Sequence, residues 1–198
     1  MGNNLYLVGS SGTGKTTLAI ALANAYGLKV LPSAARLVAA EMDVPENGFD
    51  KLLADEQKFA QYQERVCLKQ IELERECTER FVSQRAFDCL AFEALYGRTA
   101  RWTYRSSAFM AYLNRFEHHF GNHLIFVRPH PTTNAMAKVD GDRLPYLQWE
   151  DVLRFDGAMK FFLEIKGFPY LSLPYYETPG ERLIAVVDYL AKNNFKGQ

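Results

Sequence analysis

Long apolar runs are absent from this 198-residue chain. No stretch approaches the roughly 20 residues that a helix needs to cross a bilayer, so no membrane partner is expected. Net charge is absent as well, since 23 basic side chains offset 23 acidic ones. That excludes a uniform field drawing in nucleic acid, though a local basic patch remains open. Cysteine is scarce: Cys67, Cys77 and Cys89 are the whole set. Their spacing matches no zinc or redox pattern. Free thiols, buried or half-buried as small hydrophobes, are expected, with a reducing cytoplasm as the compartment. The glycine loop follows so soon after Met1 that no signal peptide is expected. His118, His119, His123 and His130 lack metal-ligand spacing with nearby acids and read as structural or surface residues. No repeat, low-complexity tract or linker divides the chain.

What is present is an ordinary globular composition. Apolar residues make up 48%, enough for one compact domain over 1–198 with a sizeable core. Leu5-Tyr6-Leu7-Val8 is a short apolar run bounded by glycine, as in a strand buried on both faces. Lys15 to Tyr26 reads as a helix with Leu18, Ala21, Leu22 and Ala25 on one face and Gly27 as its cap. Leu28 to Leu31 reads as a second strand. Apolar residues at spacings of three and four predict a long helix from about Phe49 to Arg80. Phe81-Val82-Ser83 is a short strand candidate. Helices are expected over Ala86–Leu95 and Ser106–Phe120, with Leu124–Val127 as a clear strand between the second of these and a polar stretch. That stretch, Arg128 to Leu147, is long and irregular, and reads as a lid over about 129–147. A helix over Gln148–Lys166, a strand over Phe168–Leu173 and a helix opened by Pro179 complete the chain. Strands alternating with helices predict a three-layer α/β fold, with a parallel sheet of about five strands covered on both faces.

Gly9-Ser10-Ser11-Gly12-Thr13-Gly14-Lys15-Thr16 fits G-x-x-x-x-G-K-[ST] at every fixed position, between a buried strand and a helix. The glycines let successive backbone N–H groups turn inward, and the helix start adds its positive end, so the loop favours an anionic phosphate. Lys15 can reach the β- and γ-phosphates, the Thr16 hydroxyl can ligate Mg²⁺, and Thr17 is placed for the α-phosphate. The motif indicates nucleotide binding without saying what is done with the nucleotide. The guanine-reading Asn-Lys-x-Asp of a GTPase is missing. Ile184-Ala185-Val186-Val187-Asp188 resembles a motor ATPase strand superficially, but Leu183, Val186, Val187 and Leu190 make a helical core face there.

On these residues the chain resembles the P-loop nucleoside and nucleotide kinases, including the thymidylate kinase and ribosylnicotinamide kinase types. In look it is similar to small bacteriophage-encoded kinases. Three shorter matches carry the resemblance further. Phe81-Val82-Ser83-Gln84-Arg85, with Asp88 one turn on, resembles the family's strand ending in Asp-Arg. The resemblance implies that Arg85 binds phosphate; where the family has the strand-end acid this chain has Gln84, so either Asp88 takes over that duty or positioning suffices. Pro32-Ser33-Ala34-Ala35-Arg36 resembles the segment that aims an arginine at the acceptor, which implies a substrate-binding Arg36. Val139-Asp140-Gly141-Asp142-Arg143 resembles a lid whose arginine closes over the transferring phosphoryl group, which implies Arg143; Arg128 is a second candidate there. Tyr175 and Tyr176 fall in the loop that related kinases set near adenine.

The expectation is therefore a kinase that uses ATP and Mg²⁺ to phosphorylate a nucleoside or (deoxy)nucleoside monophosphate. Lys15, Arg85, Asp88 and Arg143 are its expected catalytic set. A phage DNA kinase acting on 5-hydroxymethyluracil in DNA is an alternative. Arg98, Arg101 and Arg105 with Trp102 and Tyr104 could grip an acceptor phosphate, could stack on bases and track the backbone of modified DNA, or could be a solvated face. A nucleotide-binding regulatory module without turnover is another alternative, favoured by Gln84. A homodimer is compatible with the family resemblance.

Overall fold

The computed structural model describes residues 4–44, 49–96, 106–118, 122–131 and 148–195. Five strands form one parallel sheet: β1 (Leu5–Val8), β2 (Lys29–Val30), β3 (Phe81–Ser83), β4 (His123–Val127) and β5 (Tyr170–Leu173). Their order across the sheet is β2-β3-β1-β4-β5, and every adjacent pair is parallel. The described helices are α1 (Lys15–Tyr26), α2 (Ala34–Glu41), α3 (Phe49–Ala54), α4 (Glu56–Glu76), α5 (Asp88–Tyr96), α6 (Ser107–His118), α7 (Trp149–Ile165) and α8 (Pro179–Lys192).

The strands alternate between two cores, as a period of two requires. Tyr6, Val8, Phe81, Leu124 and Phe126 pack toward the α2 to α7 side, against Phe59, Phe87, Tyr112 and Phe155. Leu5, Leu7, Val82, Ile125 and Val127 face α1 and α8, against Leu18, Leu22, Val186 and Leu190. All four β1 residues are at most 1% exposed, which explains the unbroken apolar run that marks this strand. The three-layer expectation holds.

Several local expectations are corrected. The single helix expected over Phe49–Arg80 is two. Asp55 leaves the helical region and its side chain accepts from Lys58 N, capping α4, which ends at Glu76; a cap of this kind ends one helix and starts the next. The helix expected from Ala86 starts at Asp88, and the strand expected from Phe168 starts at Tyr170. On α1 the buried face is Leu18, Ala19, Leu22 and Ala23, not Ala21 and Ala25. Helix α2 had no helical expectation. Its alanines Ala34, Ala35 and Ala39 are buried with Val38, where small side chains let it pack close to α4. Residues 184 to 188 are helical as expected, with Val186 fully buried and Ile184 exposed.

Cys67 and Cys89 are buried and Cys77 is half-buried, all free. His123 is buried on β4 with its ring edge against Phe195, which settles it as a core residue. Among the described residues no cluster could hold a metal through His, Cys, Asp or Glu. No helix among them is long and apolar enough to cross a membrane.

Candidate active site

In a sheet of this order, the chain leaves β1 toward one face and β3 toward the other. The crevice between them at the carboxyl ends is where open α/β sheets bind ligands. A cavity of about 400 Å³ lies there. One half is lined by Gly9, Ser11, Gly12, Gly14, Lys15, Thr16 and Thr17, and the other by Pro32, Ser33, Arg36, Leu37, Gln84, Arg85, Asp88 and Phe92. The structure thus brings together the phosphate loop, Arg36 and the Arg85–Asp88 pair, which the sequence marked on three separate segments. Ser10 and Thr13 sit behind the loop, buried.

The loop's shape depends on its glycines. Gly9, Gly12 and Gly14 have φ values of 140°, 77° and 83°, a region that other residues enter at a cost. Thr13 Oγ1 donates to the Ser10 carbonyl at 3.1 Å. Lys15 Nζ donates to the carbonyls of Gly9 at 2.8 Å and Ser10 at 2.5 Å. The lysine is thereby folded along the loop. Thr16 Oγ1 donates to Gln84 Oε1 at 2.7 Å.

The second half is organised by β3 and its exit. Ser83 Oγ donates to the Arg85 carbonyl at 2.8 Å and accepts from Arg85 N at 3.2 Å, closing the turn that presents Gln84. Gln70 on α4 donates to the same Ser83 Oγ at 3.0 Å. The Tyr62 hydroxyl donates to the Ala35 carbonyl at 3.2 Å and ties α4 to α2, the helix that carries Arg36. Asp88 opens α5, is 4% exposed, and its Oδ2 lies 3.8 Å from Arg85 Nη1. Its other oxygen, Oδ1, is buried with no hydrogen-bond partner. Burial pushes the Asp88 carboxyl above its usual value, opposed by the charges of Arg85 and Lys15 and by the Gly9 backbone.

Arg128 is committed elsewhere. Its Nε and Nη2 pair with both oxygens of Asp156 on α7, at 2.8 and 2.5 Å, so it fastens β4 to α7. Tyr175, after β5, stacks on His130 at 3.8 Å between ring centroids, while Tyr176 packs against the α1–α8 core. Arg143, the basic cluster from Arg98 to Arg105 and most of the expected lid lie outside the described residues. One residue near the loop carried no sequence signal: Arg182 of α8, whose Nη1 donates to the Thr13 carbonyl at 2.6 Å. Its partner is a main-chain atom 169 residues away, which no local pattern announces.

A family model described as an AAA domain matches residues 4–182. The chain belongs to the AAA domain family. No curated protein sequence matches this AAA domain. Solved structures do, at low identity. Deoxyadenosine kinase from M. mycoides with bound dCTP has a TM-score of 0.66 at 10% identity, over 96% of this chain and 99% of that one. Shikimate kinase from Acinetobacter baumannii, in complex with shikimate, has a TM-score of 0.58 at 14% identity, over 99% and 97%. The NadR protein in complex with NR has a TM-score of 0.67 at 15% identity, over all of this chain and 51% of that one. The chain shares with these proteins a fold in which one parallel sheet is covered by helices on both faces. Within this AAA domain neither central strand runs into paired acids: β3 leads into Gln84-Arg85 and β4 into Arg128.

Proposed function

We propose that this protein is a phosphotransferase that moves the γ-phosphoryl group of ATP onto a hydroxyl of a nucleoside or nucleoside monophosphate. The observation that carries this reading is the two-part cavity. A phosphate-binding loop opens directly into a second half holding Arg36, Arg85 and a buried carboxylate with one unpartnered oxygen. A protein that only bound nucleotide would need the first half alone.

In this reading the loop N–H groups and Lys15 hold the β- and γ-phosphates. Lys15 exchanges its carbonyl partners for phosphate oxygens. The Thr16 hydroxyl and the Gln84 amide carbonyl beside it are oxygen donors of the kind that a hard cation takes. Thr16 would hold Mg²⁺ with phosphate oxygens and water, and the ion would neutralise charge on the phosphates. Asp88 orients the acceptor hydroxyl and takes its proton as the acceptor oxygen bonds to the γ-phosphorus. The bond from that phosphorus to the bridging oxygen of ADP breaks, and ADP leaves. Arg85 balances the charge on the migrating group, and Arg36 orients the acceptor. Arg143 is kept as a lid contribution on family resemblance alone. Positioning and charge neutralisation supply most of the rate in such transfers.

The test is incubation of the protein with labelled ATP and a panel of acceptors: nucleosides, nucleoside monophosphates and DNA containing 5-hydroxymethyluracil. Labelled nucleoside phosphate is expected, and Lys15→Ala should abolish it while leaving the circular dichroism spectrum unchanged. Label in the DNA alone would replace this reading with the DNA kinase. No labelled product from any acceptor would favour a binding module.

A further inference from the structure

Helix α8 begins with a capping box. Glu181 N donates to Thr178 Oγ1 at 3.2 Å, and Thr178 N donates to Glu181 Oε2 at 3.0 Å, with Pro179 opening the first turn. This pairing fixes the helix start. Arg182 follows at once, so its side chain leaves a rigid turn. It is only 8% exposed. Nη1 is held by the Thr13 carbonyl at 2.6 Å, and a Cβ at Gly14 would lie 2.7 Å from that nitrogen. The guanidinium therefore lies against the loop where α1 begins. Its Nε is buried with no partner. Among the described residues no carboxylate pairs with it, and burial pulls its guanidinium below the usual arginine value.

A buried cation without a counter-ion is costly to the folded protein. The cost is reasonable where an anion arrives as part of function. We propose that Arg182 is a donor-site charge whose counter-ion is the polyphosphate of the bound nucleotide. It fixes the Thr13 carbonyl and adds a positive charge to the helix end and the loop N–H groups. This rests on the donor-binding reading above, and assigns binding to a residue outside the G-x-x-x-x-G-K-[ST] motif.

The proposal has a signature that a structural strut lacks. Removing a strut lowers both stability and ligand affinity. Removing an uncompensated charge weakens anion binding while sparing the ligand-free protein. The experiment compares wild type, Arg182→Met and Arg182→Gln. Both remove the charge; the glutamine keeps a polar amide near the position of Nε, two bonds short of the Thr13 carbonyl's present donor. Ligand-free melting temperature and ADP affinity by calorimetry are the readouts. Both variants should bind ADP roughly 10- to 100-fold more weakly, with Arg182→Gln melting at or above the wild-type temperature. Arg182→Gln binding ADP as tightly as wild type would show that the charge has no part in holding the nucleotide and overturn the proposal. So would a fall in its melting temperature that accompanies the loss of affinity. Wild type failing to bind ADP would remove the donor-site reading itself, a different result from wild type and Arg182→Gln binding alike.

Discussion

The Thr16 hydroxyl donates to the Gln84 side-chain carbonyl across the cavity, at 2.7 Å. The residue proposed to hold the cation is thus oriented by the residue that stands where related kinases carry an acid. An amide oxygen can accept from that hydroxyl, as a carboxylate would, without adding a negative charge. Groups that orient a metal ligand typically change metal affinity when removed.

Gln84→Leu should therefore act on the cation and not on the nucleotide. The Mg²⁺ concentration for half-maximal activity is expected to rise about tenfold, with ADP affinity measured without Mg²⁺ unchanged. Titrating Mg²⁺ against initial rate checks this. An unchanged Mg²⁺ requirement would mean that the Thr16–Gln84 contact has no part in holding the ion.

Asp88 leads to a paired prediction. Burial raises its carboxyl above its usual value, against the pull of Arg85 and Lys15. The folded protein therefore holds a proton that the unfolded chain has released, over the window between the ordinary and the raised value. Stability falls as pH rises through that window. Asp88→Asn removes this term, so it should gain stability relative to wild type as pH is raised from about 4 toward neutrality. Activity should move the other way. As the proposed base, Asp88 must be ionised, so the acid limb of the wild-type rate profile should lie above the usual carboxylate range. Asp88→Asn should lose about 10²- to 10⁴-fold in turnover. Thermal melts and pH–rate profiles of the two proteins check both halves.

The parts of this molecule that were legible in sequence are those whose cause is local. Leu5–Val8 and Leu124–Val127 are apolar on both faces because helices cover both sides of the sheet, and a run of apolar residues is a local sign. The phosphate loop is legible because three glycines must take positive φ within six residues. Helix α2 was not, because Ala34, Ala35 and Ala39 carry little hydrophobic signal and are buried through close approach to α4. The break at Asp55 was hidden by apolar spacing that continues across it. The acceptor half was legible only as separate fragments. What unites Arg36 with the Arg85–Asp88 pair is strand order, which no spacing reveals. Arg182 lay beyond reach, since a charged residue in an amphipathic helix looks the same whether it meets water or a main-chain carbonyl.

Gly9 makes the link between loop and sheet testable. It has a φ of 140°, and a Cβ there would lie 2.4 Å from the Val127 carbonyl oxygen. That neighbour is backbone within a paired β4, so it has little room to yield. Gly9→Ala combines strain with a clash and should cost at least about 2 kcal/mol. Denaturant unfolding measures it. Gly157 on α7, with nothing within 4 Å of its Cβ position, is the control. Gly157→Ala should stabilise by up to about 1 kcal/mol.

The last prediction concerns Glu74, buried at 4% exposure on α4. It accepts from Tyr6 at 3.0 Å, Tyr112 at 2.8 Å and Gln70 at 2.7 Å. Gln70 also reaches Ser83, the residue that closes the turn before Gln84. Three donors converge on one carboxylate, so an amide is a poor substitute despite its shape. Glu74→Gln would turn an NH₂ toward a donor and leave at least one buried group unsatisfied, at about 1–3 kcal/mol. The consequence should extend to the cavity, because Ser83 would lose its fixed partner and Gln84 its fixed turn. Turnover is expected to fall more than ADP affinity, since the phosphate loop is held by other contacts. Tyr112→Phe removes one donor without misplacing another and should be milder in both respects. Urea unfolding with turnover and ADP binding on the same preparations separates the two variants. Equal stability of Glu74→Gln and wild type would show that the carboxylate charge is not what the two tyrosines and Gln70 require.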